Sequence, residues 1–151
     1  MIIKGKREIK KVFDPEVEFK KILELDDIKT LNIDMGNRVF MYIIVNKDDD
    51  VIVDIFNRLK IFNNETTFSL MIRYYVNKNI NSAIDLLYEM KKKNIQIKKR
   101  TVMPIINKFC ELKEIINLYK FYKEWIKKKI KLINQDYECI LPLILRHKNI
   151  K

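Results

Sequence analysis

Apolar residues recur at intervals of three and four positions along most of the chain, which is the period of one face of an α-helix. Leu118, Tyr122, Trp125 and Ile126 form one such apolar stripe. Residues 36–46 contain a β-rich run, but no other segment offers a partner strand, so we interpret them as a buried helix. The pattern therefore predicts an all-α protein.

Acidic residues mark the expected starts of two helices in the first third of the chain. Asp14 followed by Pro15 predicts an N-cap and a first helical position, with a helix that continues to about Asp26. The triplet Asp48–Asp50 precedes an apolar segment, and acidic side chains there interact favourably with the helix dipole. Successive helical positions point in different directions, so we interpret the triplet as a helix start and not as a metal site.

From residue 66 onward, similar segments recur at intervals of about 35 residues. The equivalent pairs, each 35 positions apart, are Ala83 and Leu118, Met90 and Trp125, and Ile95 and Ile130. One hairpin of two antiparallel helices cannot bury its apolar stripes alone, whereas stacked hairpins can. We therefore predict an α-solenoid of antiparallel helical hairpins, as one domain over residues 14–151 after a basic lead at 1–13. The repeats are expected at 36–64, 66–100 and 101–134, with a final capping helix at 135–148.

Two prolines and one asparagine bear on where these helices begin and end. Thr101 followed by Pro104 predicts a helix with proline in its first turn, where the missing N–H is harmless. Pro142 falls inside the last helix, where we expect a kink. Asn94 follows the second helix of a hairpin, and asparagine tolerates the left-handed conformation that ends many helices.

Turn residues are scarce, and their scarcity excludes several classes of protein. Only two glycines and three prolines occur among 151 residues. An all-β sandwich or barrel needs turn residues about every 8–12 positions, and a dinucleotide-binding or P-loop site needs a glycine cluster. The composition excludes both.

Positive charge is concentrated in the C-terminal part of the chain. Residues 1–90 carry 14 Lys and Arg against 15 Asp and Glu, whereas residues 91–151 carry 17 against 5. A one-sided positive charge favours a polyanionic partner such as nucleic acid, because neutralising phosphates releases their counterions. The alternative is a lysine-rich surface that only keeps the protein in solution.

Cysteine and histidine are too few for a disulfide framework or a four-ligand zinc site, since the chain has only Cys110, Cys139 and His147. Both cysteines lie in apolar helical patterns, so we predict buried free thiols.

The N-terminal segment lacks the apolar stretch of a secretory signal, and no apolar run reaches the roughly 18 residues of a membrane span. We therefore predict a protein of a reducing intracellular compartment, without a membrane, metal or cofactor.

The repeated segments have a specific residue pattern. The second helix of one hairpin contains A-I-D-L-L-Y-E-M-K-K-K-N-I over Ala83–Ile95. This resembles the pentatricopeptide repeat, whose second helix typically has A-x-x-L-F-x-x-M-x-x-x-G-I, with Asn94 here at the glycine position. Tetratricopeptide repeats have a similar period, but their tryptophan and glycine are missing at the corresponding places.

Residues 64–141 resemble more narrowly the pentatricopeptide domain of protein-only RNase P, the RNA-free enzymes that remove tRNA 5′ leaders. The resemblance is carried by Asn64–Phe68, Ala83–Gln96 and Lys99–Cys110, including Pro104. In that family, a separate C-terminal metallonuclease domain with an aspartate cluster cleaves the RNA. Because no acidic residue follows Glu138, we expect a module that recognises tRNA or pre-tRNA and is not itself an enzyme.

The same resemblance implies that the first helix of each hairpin faces the RNA. Ser69 occupies the base-reading position of one repeat together with Lys98, whereas the next repeat has Met103 and Ile133, which form no hydrogen bonds to bases. Recognition of shape and backbone is therefore expected. The residues expected to contact RNA are Ser69, Arg73, Lys98, Lys99, Arg100, Asn107, Lys108, Lys127 and Lys128, with neighbouring lysines at 91–93, 129 and 131.

Two other interpretations stay open from the sequence. In the first, the solenoid is a protein-interaction scaffold whose apolar residues Met103 and Ile133 bind a partner, such as a separately encoded nuclease. In the second, the chain is a degenerate remnant that folds without a function.

We expect the protein to be a monomer. Alanine replacement of Lys98–Arg100 is expected to weaken RNA binding without destabilising the fold, since exposed lysines contribute little to stability.

Overall fold

The computed structural model describes the backbone of residues 12–150 and all of their side chains except those at 144 and 147–150. Within this range the chain forms eight α-helices and no β-strand, so the all-α prediction is confirmed. The helices are α1 (Pro15–Glu24), α2 (Ile33–Asn46), α3 (Asp49–Leu59), α4 (Glu65–Val76), α5 (Ile80–Lys92), α6 (Lys99–Glu111), α7 (Ile115–Phe121) and α8 (Tyr137–Ile150). A π-helical turn, Tyr122–Ile126, directly follows α7. The basic lead predicted at 1–13 lies outside the described residues, apart from positions 12 and 13.

The chain divides into two compact units, Met1–Leu59 and Lys60–Lys151. The boundary falls inside the segment at 36–64 that the sequence assigned to a first repeat. The second unit contains 20 Lys and Arg against 8 Asp and Glu, and the first contains 11 against 12. The positive charge of the protein therefore belongs to the second unit.

In the first unit, α2 packs against both α1 and α3. Asp14 caps α1 by accepting a hydrogen bond from the N–H of Glu16 at 3.1 Å, with Pro15 as the first helical residue, although α1 ends two residues before Asp26. The β-rich run at 36–46 lies within α2, and the helical interpretation is confirmed.

The acidic triplet Asp48–Asp50 is a helix start, as the sequence indicated. Asp48 precedes the first residue of α3, and its carboxylate accepts a hydrogen bond from the N–H of Val51 at 3.2 Å. The apolar side of α3 is buried at Ile52, Ile55 and Leu59. The triplet therefore stabilises the start of a helix that buries one apolar face.

The second unit is built from α4 to α8, in which α4 packs against α5 and α6, and α6 packs against α7 and α8. The ammonium group of Lys93 lies 5.5 Å from the ring centre of Phe68, which brings the end of α5 beside the start of α4. Lys108 and Asn77 are 3.5 Å apart between Nζ and Oδ1, which brings the end of α6 beside the end of α4. Helices α4 and α6 therefore run in the same direction, and α5 runs against them.

Two of the three predicted pairs of equivalent positions have the same environment, whereas Ile95 is buried and Ile130 is half-buried. Ala83 and Leu118 are fully buried, and Met90 and Trp125 are buried almost completely. Asn94 has a φ of 59°, which confirms its left-handed conformation after α5. Residues 63 and 128 also have positive φ values and lie 31 and 34 positions from Asn94. The helix-ending geometry thus recurs close to the period of the sequence.

Helix boundaries and one cysteine differ from the sequence-based expectation. Helix α6 begins two residues before Thr101, because the Thr101 hydroxyl accepts the N–H of Lys98 at 3.0 Å from inside the first turn. Pro104 therefore lies in the second turn, and its missing N–H leaves the carbonyl of Arg100 without the usual helical donor. Helix α8 continues through Pro142.

The prediction of buried thiols is wrong for Cys139, which is exposed, and Cys110 is half-buried.

Candidate nucleic-acid interface

The second unit concentrates its lysines at one edge, where α4 and α6 begin and where α5 and the π-helical turn end. An ion pair between Arg100 and Glu65 joins the starts of α4 and α6. The rings of Tyr88 and Trp125 are 4.9 Å apart, and Lys91 lies 5.9 Å from the Trp125 ring, so α5 and the π-helical turn end side by side. We call this surface the basic edge, and its residues are Lys91–Lys93, Lys98–Arg100, Lys127–Lys129 and Lys131.

The other ends of the same helices have a different charge. The loops at 77–79 and 112–114, which join α4 to α5 and α6 to α7, contain two lysines, Lys78 and Lys113. Glu114 lies in the second loop and Glu111 directly before it, and Arg73 and Lys108 lie in the last turns of α4 and α6. We call this surface the opposite edge. Ten cations at one edge and four at the other polarise the second unit along its helix axes.

Seven of the ten cations of the basic edge are exposed and form no ion pair with the described part of the chain, and Lys98, Lys127 and Lys128 are three of them. Lys98 is the N-cap residue of α6, beside the positive end of the helix dipole. Lys127 follows the π-helical turn, and Lys128 has a φ of 67°. Their charges are accessible to a polyanion without the loss of an internal contact.

Arg100 belongs to a hydrogen-bonded cluster between α4 and α6. The Glu65 carboxylate, whose side chain is only 11% exposed, accepts hydrogen bonds from the guanidinium of Arg100 and from the hydroxyls of Ser69 and Thr101. Burial raises the pKa of Glu65, but the hydrogen bonds from Arg100, Ser69 and Thr101 outweigh it and leave the pKa lowered. Arg100 also donates to the hydroxyl of Thr66 at 3.0 Å. Arg100 therefore has a structural contact besides its place on the basic edge.

Lys99 forms a second ion pair at the same end of α6. Its ammonium lies 2.7 Å from the carboxylate of Asp136, which also accepts the N–H of Ile133 at 2.8 Å. The hydrogen bond from Lys99, followed by that from Ile133, lowers the pKa of Asp136. Lys99 and Arg100 therefore have ion-pair partners that the sequence analysis did not predict, and Lys98 alone of the three forms no ion pair.

The remaining predicted contacts lie away from the basic edge. Arg73 is exposed and lies four residues from both Ser69 and Asn77 on α4. Asn107 is exposed on α6, and Lys108 is half-buried, within 3.5 Å of Asn77 and of Glu111. Lys108 is separated from Lys98 by most of the length of α6, about 15 Å. The predicted residues therefore form two groups rather than one surface.

Ser69, the expected base-reading residue, lies between helices and not at the surface. Its side chain is 3% exposed, and its hydroxyl is 3.3 Å from that of Thr101. A base edge cannot reach a hydroxyl that is buried and already bonded to Glu65. Met103 is half-buried and Ile133 is 53% exposed, and neither side chain can distinguish bases by hydrogen bonding.

Sequence reasoning missed the acidic partners of the basic edge. Glu65 precedes Arg100 by 35 residues, which is one repeat period, and Asp136 follows Lys99 by 37. A search for opposite charges one period apart would have found the first pair. Parallel neighbouring helices bring such positions together.

In the range that the structure covers, no three His, Cys, Asp or Glu side chains gather as they would around a metal ion. Among the described helices, none is both long and apolar enough to cross a membrane. Comparison with family models, curated proteins and solved structures finds no match to the chain.

Proposed function

We propose that the second unit binds structured RNA of the tRNA or pre-tRNA type, with phosphates against the basic edge. The observation that carries this proposal is the unequal charge of the two edges, ten cations against four, on the same set of helices. Neutralising phosphates releases condensed counterions, so such a surface gains affinity for RNA without base contacts. The net charge of +12 in this unit adds long-range attraction.

The chemistry of the edge suits the RNA backbone better than the bases. Nine of its ten cations are lysines, whose ammonium groups are compact charges on flexible stems and do not match one base edge. Folded RNA presents closely spaced phosphates along its helices, and proteins recognise such RNA mainly by shape and backbone. The burial of Ser69 supports this mode over base-by-base recognition.

The helical pairing supports a pentatricopeptide-like architecture as part of the proposal. Helices α4 and α5 form one hairpin, α6 and α7 form the next, and α4 packs on α6. Stacked hairpins of this kind place the ends of successive helices in a row, which turns separate lysine loops into one continuous surface. In this proposal the chain binds RNA without cleaving it.

The test is a binding titration with a pre-tRNA transcript and an unrelated RNA hairpin over a series of salt concentrations. We compare the parent with Lys98→Gln/Lys127→Gln/Lys128→Gln, which removes three cations that form no ion pair and leaves the pairs of Lys99 and Arg100 intact. The variant is expected to bind about tenfold to a hundredfold more weakly at low salt. Its slope of log affinity against log salt should fall by up to about three.

A matched control removes the same charge elsewhere. Lys20→Gln/Lys29→Gln/Lys113→Gln replaces three exposed lysines, two in the first unit and one at the opposite edge. It should bind RNA within about twofold of the parent. Equal weakening in both triple variants would reduce the interaction to net charge and contradict the proposal. Absence of RNA binding, together with a protein partner captured after nuclease treatment, would favour the scaffold interpretation.

A further inference from the structure

A groove in the second unit is lined by α5 on one side and by α7 with its π-helical turn on the other. Its volume is about 300 Å³, at the lower end of the range of pockets that hold small molecules. The buried rings of Phe109, Phe121 and Trp125 lie at its base. The ring of Tyr88 also lines the groove and is 45% exposed, so one aromatic surface is accessible there.

Two contacts hold Tyr88 in place. Its hydroxyl donates a hydrogen bond to the carboxylate of Glu124, and its ring centre is 4.9 Å from that of Trp125, with an angle of 68° between the rings. An accessible ring that is already fixed loses little freedom when a flat ligand stacks on it. Nucleic-acid bases are such ligands, because each base has a π face.

A cation and an anion line the same groove without neutralising each other. Lys120 and Glu124 are four positions apart, both are exposed, and neither forms an ion pair with a described residue. The hydrogen bond from Tyr88 reaches Oε2 of Glu124, and Oε1 accepts no hydrogen bond from the described part of the chain. The groove therefore offers a donor and an acceptor beside an aromatic ring.

We propose that this groove binds an unpaired guanine base of the RNA, an inference that rests on the proposed function. The Watson–Crick edge of guanine presents one acceptor, O6, and two adjacent donors, N1–H and the N2 amino group. The ammonium of Lys120 donates to O6, and the carboxylate of Glu124 accepts from N1–H and N2. Adenine, cytosine and uracil each present only one donor group on this edge, so a carboxylate favours guanine.

The groove is continuous with the basic edge. The ammonium of Lys91, a residue of that edge, lies 5.9 Å from the ring centre of Trp125, which lines the groove. A phosphate bound at Lys91 therefore places its nucleotide beside the groove. The carboxylate of Glu124 repels phosphates, so it does not serve backbone binding, whereas base donors require such an acceptor.

The first test titrates the protein with the 5′-monophosphates of guanosine, adenosine, cytidine and uridine. Trp125 is the only tryptophan of the chain, so its fluorescence reports on the groove. The guanosine nucleotide should bind at least about fivefold more tightly than the other three. Equal quenching by all four nucleotides, or none by any of them, would overturn the guanine site.

A charge-matched pair of variants locates the effect. Glu124→Gln should weaken binding of guanosine monophosphate at least about fivefold, although loss of a negative charge alone would strengthen binding of this anion. Glu138→Gln removes the same charge from an exposed residue of α8 outside the groove and should bind within about twofold of the parent. Equal effects of the two substitutions would contradict the role of Glu124.

The second test separates this site from the proposed function. Two RNA hairpins carry a single-stranded 5′ overhang of alternating G and U or of alternating A and U. The parent should prefer the first at least about fivefold, and Glu124→Gln should lose this preference without a lower salt slope. Lys98→Gln/Lys127→Gln/Lys128→Gln should weaken both RNAs equally and keep the preference. Equal binding of both RNAs by the parent overturns the guanine site alone, and binding of neither RNA overturns the proposed function as well.

Discussion

The two edges of the second unit terminate the same helices, yet they differ strongly in charge. The basic edge contains ten cations, and the opposite edge contains four, Arg73, Lys78, Lys108 and Lys113, together with Glu111 and Glu114. At both edges helices end and the chain turns back. Only a few favourable charges are needed to stabilise the end of a helix. The surplus of cations at one edge is therefore not a requirement of folding, and it points to a polyanionic partner on that side.

The basic edge also contains a difference within itself, between cations that hold helices together and cations that are unpaired. Arg100 bonds both the Glu65 carboxylate and the Thr66 hydroxyl, Lys99 pairs with Asp136, and Lys98 forms no ion pair. We expect the contributions of these residues to the free energy of unfolding to decrease in this order. Each contribution can be measured separately from the residue's part in the proposed RNA binding.

The largest expected effect on stability comes from Arg100→Ala. Removal of the guanidinium leaves the Glu65 carboxylate with only the Ser69 and Thr101 hydroxyls, and we expect a loss of about 2 kcal/mol in the free energy of unfolding. Lys98→Ala, the matched control, should change it by less than about 0.5 kcal/mol. Urea denaturation of both variants measures the difference. Equal stability would contradict the assigned role of the Glu65 cluster.

A smaller effect is expected from two lysines with left-handed backbone, one at each edge. Lys113 has a φ of 56° and Lys128 a φ of 67°, a region where glycine avoids the strain of a side chain. Lys113→Gly and Lys128→Gly should each stabilise the protein by about 0.5 kcal/mol, since the entropy of the unfolded chain offsets part of the gain.

These two glycine variants should differ in RNA binding. Lys128→Gly removes a cation of the basic edge, so its affinity should fall several-fold at low salt, with a salt slope lower by about one. Lys113→Gly should bind like the parent. Thermal unfolding and a salt series on both variants give the comparison, and equal binding by the two would remove the distinction between the edges.

Local rules predicted much of the helical structure. Asp14 with Pro15, the triplet Asp48–Asp50 and the left-handed Asn94 follow from capping and backbone preference, which depend on nearby residues alone. The fully buried pair Ala83 and Leu118 follows from periodicity. Such signals can be recognised from the sequence without knowing which helices pack together.

The candidate site was less predictable, because its residues are selected by contacts between helices. The burial of Ser69 and the pairing of Arg100 both depend on Glu65, which lies on a neighbouring helix. Helix α6 also starts earlier than the sequence predicted. Thr101 is not the N-cap but lies inside the first turn, where its hydroxyl accepts the N–H of Lys98. A pattern of cations shows where charge accumulates, but not which cations already have partners.

Lysine footprinting tests the central claim most directly. The folded protein is acetylated at limiting reagent with and without pre-tRNA, and the modification of each lysine is quantified by mass spectrometry. The account predicts that RNA protects Lys98, Lys127 and Lys128 at least about threefold, while Lys20, Lys29 and Lys113 keep their reactivity. Equal protection of all six lysines, or protection confined to the last three, would contradict RNA binding at the basic edge.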